Sequence, residues 1–281
     1  MKFSLFQDSR IGGRTRNEDR VGHDRTADAL VMAVADGLGG HGHGEVAAEA
    51  AIRSILATFQ RQARPRLTNP QAFLADALAG AHTAVLAQAA LRKLDDRPRT
   101  TCVVCVVQDG FAAWAHAGDS RLYVLRNGRV LMRTRDHSRV QALIDEGRLS
   151  EDAARTHPQR NTLTSCLGAE LAPRFEFSET LPLKRGDVLL LCTDGLWGAL
   201  ADDMPLAMLS VRNAVRSAPG LLDRVESAAG PGRDNLSLLL MAWEGEDDER
   251  AQPEPPRSWT REDFDRTLNT PYDRLHAKES P

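Results

Sequence analysis

The sequence predicts an α+β fold in which antiparallel sheet packs against helices, and three observations carry that prediction. Apolar runs of strand length recur along most of the chain. Several are joined by links of hairpin length, such as Asn127-Gly128. The two longest helical patterns, at 45–60 and 71–94, follow one another directly. A repeating βαβ array would instead alternate strand with helix.

The first strand expected is 30–35, an unbroken run from Leu30 to Ala35. The two long helical stretches after it are rich in Ala and Leu, both strong helix formers. Next come strands at 101–107, where β-branched valines dominate, and at 111–117. Strands at 121–125 and 129–133 flank Asn127-Gly128, a dipeptide suited to a type I′ turn. A shorter helical pattern lies near 138–147. Residues 174–181 alternate apolar and polar, as a half-solvated strand does. An apolar strand at 188–193, helices at 202–217 and 221–229, and a strand at 235–243 complete the domain. No internal repeat is present.

The expected organisation is one domain over 1–245, followed by a tail over 246–281. The tail carries Pro253, Pro255, Pro256 and Pro271 among many charges and few apolar residues. It reads as disordered or as a docked arm, with one capped turn at Ser258–Phe264 and with Trp259, Phe264 and Tyr272 as anchors.

Composition narrows the function. The chain has 281 residues, a hydrophobic fraction of 42% and a net charge of −3. That charge gives no bulk field for nucleic acid or an anionic membrane. The small cluster of Arg61, Arg64 and Arg66 lacks interleaved aromatics and reads as a solvated loop. The apolar runs fall short of the roughly 20 residues that span a bilayer. The N-terminus turns polar at Gln7-Asp8, too early for a signal-peptide core, so the expected location is the cytoplasm. Cys102 and Cys105 sit three apart in a strand, where side chains diverge to opposite faces. With Cys166 and Cys192 they read as buried structural thiols.

The chemistry points to acids. Asp36 ends the 30–35 run and precedes Gly37; Asp194 ends the 188–193 run and precedes Gly195. A carboxylate at a buried strand end is costly unless a cation meets it. Glu18, Asp19, Asp119 and Asp234 also stand beside small or turn-forming residues. Such a set supplies the oxygen ligands that hard divalent cations prefer. Gly37 beside Asp36 leaves a backbone carbonyl free to approach a metal. The glycine-rich run from Gly37 to Gly44 lacks the Lys-Ser/Thr ending of a P-loop. Within it, His41-Gly42-His43 offers a zinc reading that no obvious third histidine completes. Arg14 and Arg16 precede the acids and suit bidentate contact with phosphate.

Six segments, in order, carry a family resemblance. They are Arg14-x-x-Asn17-Glu18-Asp19, Ala35-Asp36-Gly37-x-Gly39-Gly40-His41, Gly118-Asp119-Ser120-Arg121, Asp136-His137-Ser138, Cys192-Thr193-Asp194-Gly195-Leu196-Trp197 and Asp234-Asn235-Leu236-Ser237. The chain resembles the metal-dependent Ser/Thr protein phosphatases of the PPM (PP2C-type) family in their compact bacterial form, across 8–243. The resemblance implies a four-layer α-β-β-α sandwich with metals at one end.

It also implies roles. Asp36 bridges two Mn²⁺ or Mg²⁺ ions, and Gly37 offers its carbonyl. Asp194 and Asp234 complete the first ion's shell, and Glu18 and Asp19 hold the second. Asp119 holds a weaker third with Asp194, and Arg14 binds the substrate phosphate. The implied reaction is direct hydrolysis of phosphoserine or phosphothreonine by a metal-bridging hydroxide. Implied partners are phosphoproteins and an opposing bacterial Ser/Thr kinase, with the phosphatase a monomer.

Where animal members carry a histidine after the Asp-Gly pair, this chain has Leu38. His41, His43 or a metal-bound water is left as proton donor. Residues 139–168 correspond to the family's flap, with Arg160-Asn161-Thr162 beside the site. Two other functions compete: a catalytically weak binding module of the same fold, and a two-metal phosphodiesterase.

Overall fold

A computed structural model describes residues 1–38, 43–94, 96–200, 206, 209, 214–228 and 233–245. Eleven strands among them form two antiparallel sheets. The first sheet orders β1 (Lys2–Arg10), β11 (Leu236–Gly245), β10 (Val188–Cys192), β6 (Arg121–Arg126) and β7 (Arg129–Arg133). The second orders β2 (Arg20–Arg25), β3 (Ala29–Ala35), β4 (Cys102–Gln108), β5 (Phe111–Ala117) and β8 (Glu176–Phe177), with β9 (Leu181–Pro182) also on β5.

Strand alternation builds the layers. In β3, Leu30, Met32 and Val34 face the other sheet, while Ala29, Val31, Ala33 and Ala35 face the helices. The alanines let α1 (Gly44–Gln62) and α2 (Pro70–Arg92) approach closely. Leu189 and Leu191 of β10, with Leu239 and Met241 of β11, close the inter-sheet layer. On the far side Leu190, Leu238 and Leu240 receive α6 (Ala214–Ala228) through Leu222 and Val225. The order is helix, sheet, sheet, helix, as the resemblance implies. Three short helices, α3 (Arg139–Asp145), α4 (Glu151–Ala154) and α5 (Asp194–Trp197), lie near one end of the sandwich.

Several expectations are refined. Asn127 and Gly128 both take positive φ, 53° and 72°, as a type I′ turn requires. Strand 174–181 is reduced to β8 and β9, because Ser178 between them bonds Trp114 of β5 through its hydroxyl and its N–H. Helix 221–229 begins earlier, at Ala214, and runs through Pro219 and Gly220. The helix expected over 202–217 falls largely outside the described residues. The tail over 246–281 lies outside them entirely.

By length and composition α2 would be able to cross a membrane. Its Phe73, Leu74, Leu78 and Val85 are instead buried in the core shared with α1 and the second sheet. All four cysteines are free and buried, and Cys102 and Cys105 belong to different core layers.

Candidate metal centre

At one end of the inter-sheet layer the apolar side chains give way to hydroxyls. Thr101, Ser120, Thr193 and Ser237 are all buried there. Thr101 Oγ1 and Ser120 Oγ are 2.6 Å apart, and Thr193 Oγ1 receives the N–H of Ser237 at 3.2 Å. These hydroxyls form a polar floor on which the acids stand. Ser120, Thr193 and Ser237 stand within the motifs quoted above but drew no role there, and Thr101 lies outside them.

Each predicted acid arrives at this end from a different element. Asp36 follows β3, its N–H on Thr101 Oγ1 at 3.2 Å and its carbonyl receiving the N–H of Thr101 at 2.8 Å. Asp194 opens α5 just beyond β10, and Asp234 precedes β11. Asp119 lies between β5 and β6. Asp19 precedes β2, is 2% exposed, and accepts from Thr193 Oγ1 at 2.9 Å. Glu18 donates its backbone N–H to Asn235 Oδ1 at 2.9 Å.

Glycine is required at two of these positions. A Cβ on Gly37 would collide with the backbone of Gly44, and one on Gly195 with the carbonyl of Asn235. The second contact brings the Asp194 turn against the Asp234 turn.

The electrostatics show that the acids converge. Burial, then repulsion from Asp19, Asp194, Asp119 and Asp234, holds the Asp36 carboxyl well above its usual range. Asp119 is raised in the same way, by burial and then by Asp194. Asp19 is pushed up to about 7 and Asp194 to about 6, burial leading in both. Glu18 is raised by burial and then by Glu45. Asp36 and Asp194 lie within hydrogen-bonding reach of each other. Carboxyls held this close cannot all ionise in a buried site without added positive charge. The donor set of carboxylate oxygens suits hard divalent cations, so the residues fit such ions.

Arg14 does not stand free. Its Nη2 donates to Asp234 Oδ2 at 2.7 Å, with the guanidinium more than half exposed. Asn235 fixes the loop carrying it, donating from Nδ2 to the carbonyls of Ile11 at 2.8 Å and Arg16 at 2.9 Å.

A cleft of about 610 Å³ opens onto Arg14, Asp119, Asp194 and Asp234. Val140, Gln141, Ile144, Arg160 and Asn161 line its other wall, which places the flap beside the site. His41 lies outside the described residues. His43 caps α1 in a left-handed conformation, its ring 4.0 Å from Glu45.

One buttress carried no role in the sequence reading. Arg121 holds Asp136 with two bonds of 2.8 Å and stacks over Trp197, 3.6 Å from the ring centroid. Trp197 Nε1 donates to the carbonyl of Asp119 at 2.9 Å. Both Arg121 and Asp136 stand within the quoted motifs, which was the available signal.

The chain is thus two stacked antiparallel sheets with acids converging at one end, beside an open cleft. Residues 6–219 match the family model described as protein phosphatase 2C. The chain belongs to the protein phosphatase 2C family. It is 32% identical over 81% of its length to the serine/threonine protein phosphatase PstP of Mycobacterium tuberculosis, and spans 42% of that protein. It is 30% identical over 89% of its length to the protein phosphatase PhpP of Streptococcus pneumoniae, spanning all of it. A solved structure of the PstP catalytic domain in complex with two manganese ions matches at TM-score 0.69 and 28% identity, covering 85% of this chain and 97% of that one.

Proposed function

We propose that the chain is a Mn²⁺- or Mg²⁺-dependent protein serine/threonine phosphatase. The observation that carries the reading is the convergence of Asp19, Asp36, Asp119, Asp194 and Asp234 at one end of the sandwich, with Glu18 beside them. Family membership and the relatives' names support the substrate class.

Asp36, Asp194 and Asp234 would hold one ion and Asp36, Glu18 and Asp19 a second, with the carbonyl of Gly37 as a further ligand. Asp119 with Asp194 would hold a weaker third. Bound ions neutralise charge and lower the pKa of water, giving a nucleophile at neutral pH.

The chain's own groups do the rest. Arg14, oriented by Asp234, presents its exposed guanidinium edge to the phosphoryl oxygens. Arg160 and Asn161 face the part of the substrate that follows the phosphate into the cleft. The proton-donor role considered for His41 rests on a residue outside those described. The same reading has the protein act as a cytoplasmic monomer on phosphoproteins, opposing a Ser/Thr kinase.

The test is turnover of p-nitrophenyl phosphate and a phosphothreonine peptide with Mn²⁺, with and without chelator. Activity that vanishes with chelator and in Asp36→Asn supports the reading. Metal-independent turnover overturns it. Cleavage of a phosphodiester but not a monoester would favour the phosphodiesterase, and no turnover at all the binding module.

A further inference from the structure

A second group of ligand-type side chains lies apart from the carboxylate centre. His116, near the end of β5, sits directly opposite Glu176 of β8 in the antiparallel ladder. Cross-strand neighbours of this kind share a face of the sheet. His137, just before the Ser138 cap of α3, stacks on His116 with centroids 4.6 Å apart and planes 24° from parallel. The donor atoms of His116, His137 and Glu176 all lie within 4.8 Å of one another.

The two histidines are 2% and 7% exposed, and each leaves a ring nitrogen without a hydrogen-bond partner: Nδ1 of His116 and Nε2 of His137. Buried polar atoms are ordinarily paired, and those left unpaired call for an explanation. We infer that His116, His137 and Glu176 form a second cation site, for a borderline transition-metal ion of the zinc class.

The tautomers agree at His116. Its Nε2 lies 2.7 Å from the carbonyl of Arg135, which only accepts, so Nε2 carries the proton. Nδ1 then presents its lone pair to the cluster. A metal-ligating histidine ordinarily has its other N–H held in this way by a carbonyl, which fixes the tautomer and the ring orientation. Burial, then the neighbouring His137, lowers the pKa of His116 and keeps the ring neutral. Glu176 is held ionised by His137, whose Nε2 is 3.6 Å from Oε2, beyond hydrogen-bond length.

His137 is where loading acts on the rest of the protein. Its Nδ1 accepts the N–H of Gly118 at 3.3 Å, which places the proton on Nε2. A cation on Nε2 requires the other tautomer, with Nε2–H lost to solvent and Nδ1–H gained. The long contact from Gly118 is then given up. Gly118 precedes Asp119, and its carbonyl still accepts the His137 N–H at 2.9 Å, so filling this site removes one of the two bonds that tie His137 to the turn before the carboxylate centre.

The ligand types set the metal. Two imidazoles and one carboxylate favour zinc and its neighbours over Mg²⁺, which takes oxygen donors. The Glu176 side chain is 40% exposed and gives an entry path and a position for water.

The experiment titrates the full chain with Co²⁺ as a zinc surrogate, in the presence of saturating Mn²⁺. The readout is bound cobalt and its visible spectrum, which is independent of phosphatase activity and of the proposed function. The wild type is expected to take up one further equivalent with the intense bands of a four-coordinate, imidazole-bound ion. Glu176→Gln, on a half-exposed two-residue strand, is expected to weaken that uptake about tenfold or more. No further equivalent in the wild type, a weak six-coordinate spectrum only, or unchanged affinity in Glu176→Gln would each overturn the proposal.

Discussion

Arg14 and Asp234 hold each other at the mouth of the cleft, Nη2 to Oδ2 at 2.7 Å. The pair joins a proposed phosphate contact to a proposed metal ligand. Asp234 lowers the freedom of a long side chain that would otherwise sample solvent. The exposed face of the guanidinium remains available to a substrate anion.

Arg14→Ala removes that contact. A charge-assisted hydrogen bond contributes about 1.5–3 kcal/mol when desolvated, and less at a residue this exposed. The expected result is a rise of about tenfold in KM for a phosphopeptide, with a smaller change in kcat. Steady-state kinetics at saturating Mn²⁺ check it. An unchanged KM would remove Arg14 from the substrate site.

Asp36→Asn separates catalysis from folding. The Asp36 carboxyl is buried among Asp19, Asp194, Asp119 and Asp234, all of which repel its charge. Neutralising it relieves that repulsion in the metal-free protein. The melting temperature in chelator is expected to stay level or rise, while activity falls roughly a thousandfold or more. Thermal denaturation beside a phosphatase assay reads both. A variant that is unfolded in chelator would contradict the electrostatic account.

Much of this site was legible in the chain, and the reason is physical. Asp36 and Asp194 interrupt apolar runs where a charge has no structural excuse, and both runs are central strands, β3 and β10. The missed strands are β1 and β2, each at a sheet edge. Arg20-Val21-Gly22-His23-Asp24-Arg25 is too polar to signal a strand, and its conformation comes from pairing with β3. The Asp109-Gly110 turn, with φ of 55° and 73°, also escaped because neighbouring strands were read without their link. Ser120, Thr193, Ser237 and His137 stand in quoted motifs, but their meeting with Thr101 and His116 depends on non-local registers that no local pattern encodes.

The acids make metal-free stability depend on pH. Asp19 is raised to about 7 and Asp194 to about 6, whereas unfolded aspartates titrate near ~4. Between those values the folded state binds more protons than the unfolded state. Stability therefore falls as pH rises through the window, and the part of the loss owed to these two groups is complete above about 7. In chelator the melting temperature should decline from about pH 5 to about pH 7.5. A fixed Mn²⁺ concentration a hundred times the Kd at about pH 7.5 adds about 2.7 kcal/mol there, or roughly 5–10 °C, and less at lower pH where protons compete. A metal-free melting temperature that climbs across this window would contradict the raised carboxyls.

Asp119→Asn tests whether the acids divide into a tight pair of sites and a looser third. Asp119 is 8% exposed, and Trp197 Nε1 holds its backbone carbonyl at 2.9 Å. Trp197 is itself packed under Arg121, which Asp136 anchors with two bonds. An isosteric amide leaves that buttress in place, so the turn should keep its shape. Its main electrostatic neighbour among the proposed ligands is Asp194, the residue assigned to both the first and third ions. Calorimetric titration with Mn²⁺ should show the weakest binding event lost and the tighter events unchanged within about threefold. Activity should fall far less than in Asp36→Asn. If the tight events weaken together with the weak one, Asp119 belongs to a single coupled cluster and the division into separate sites is wrong.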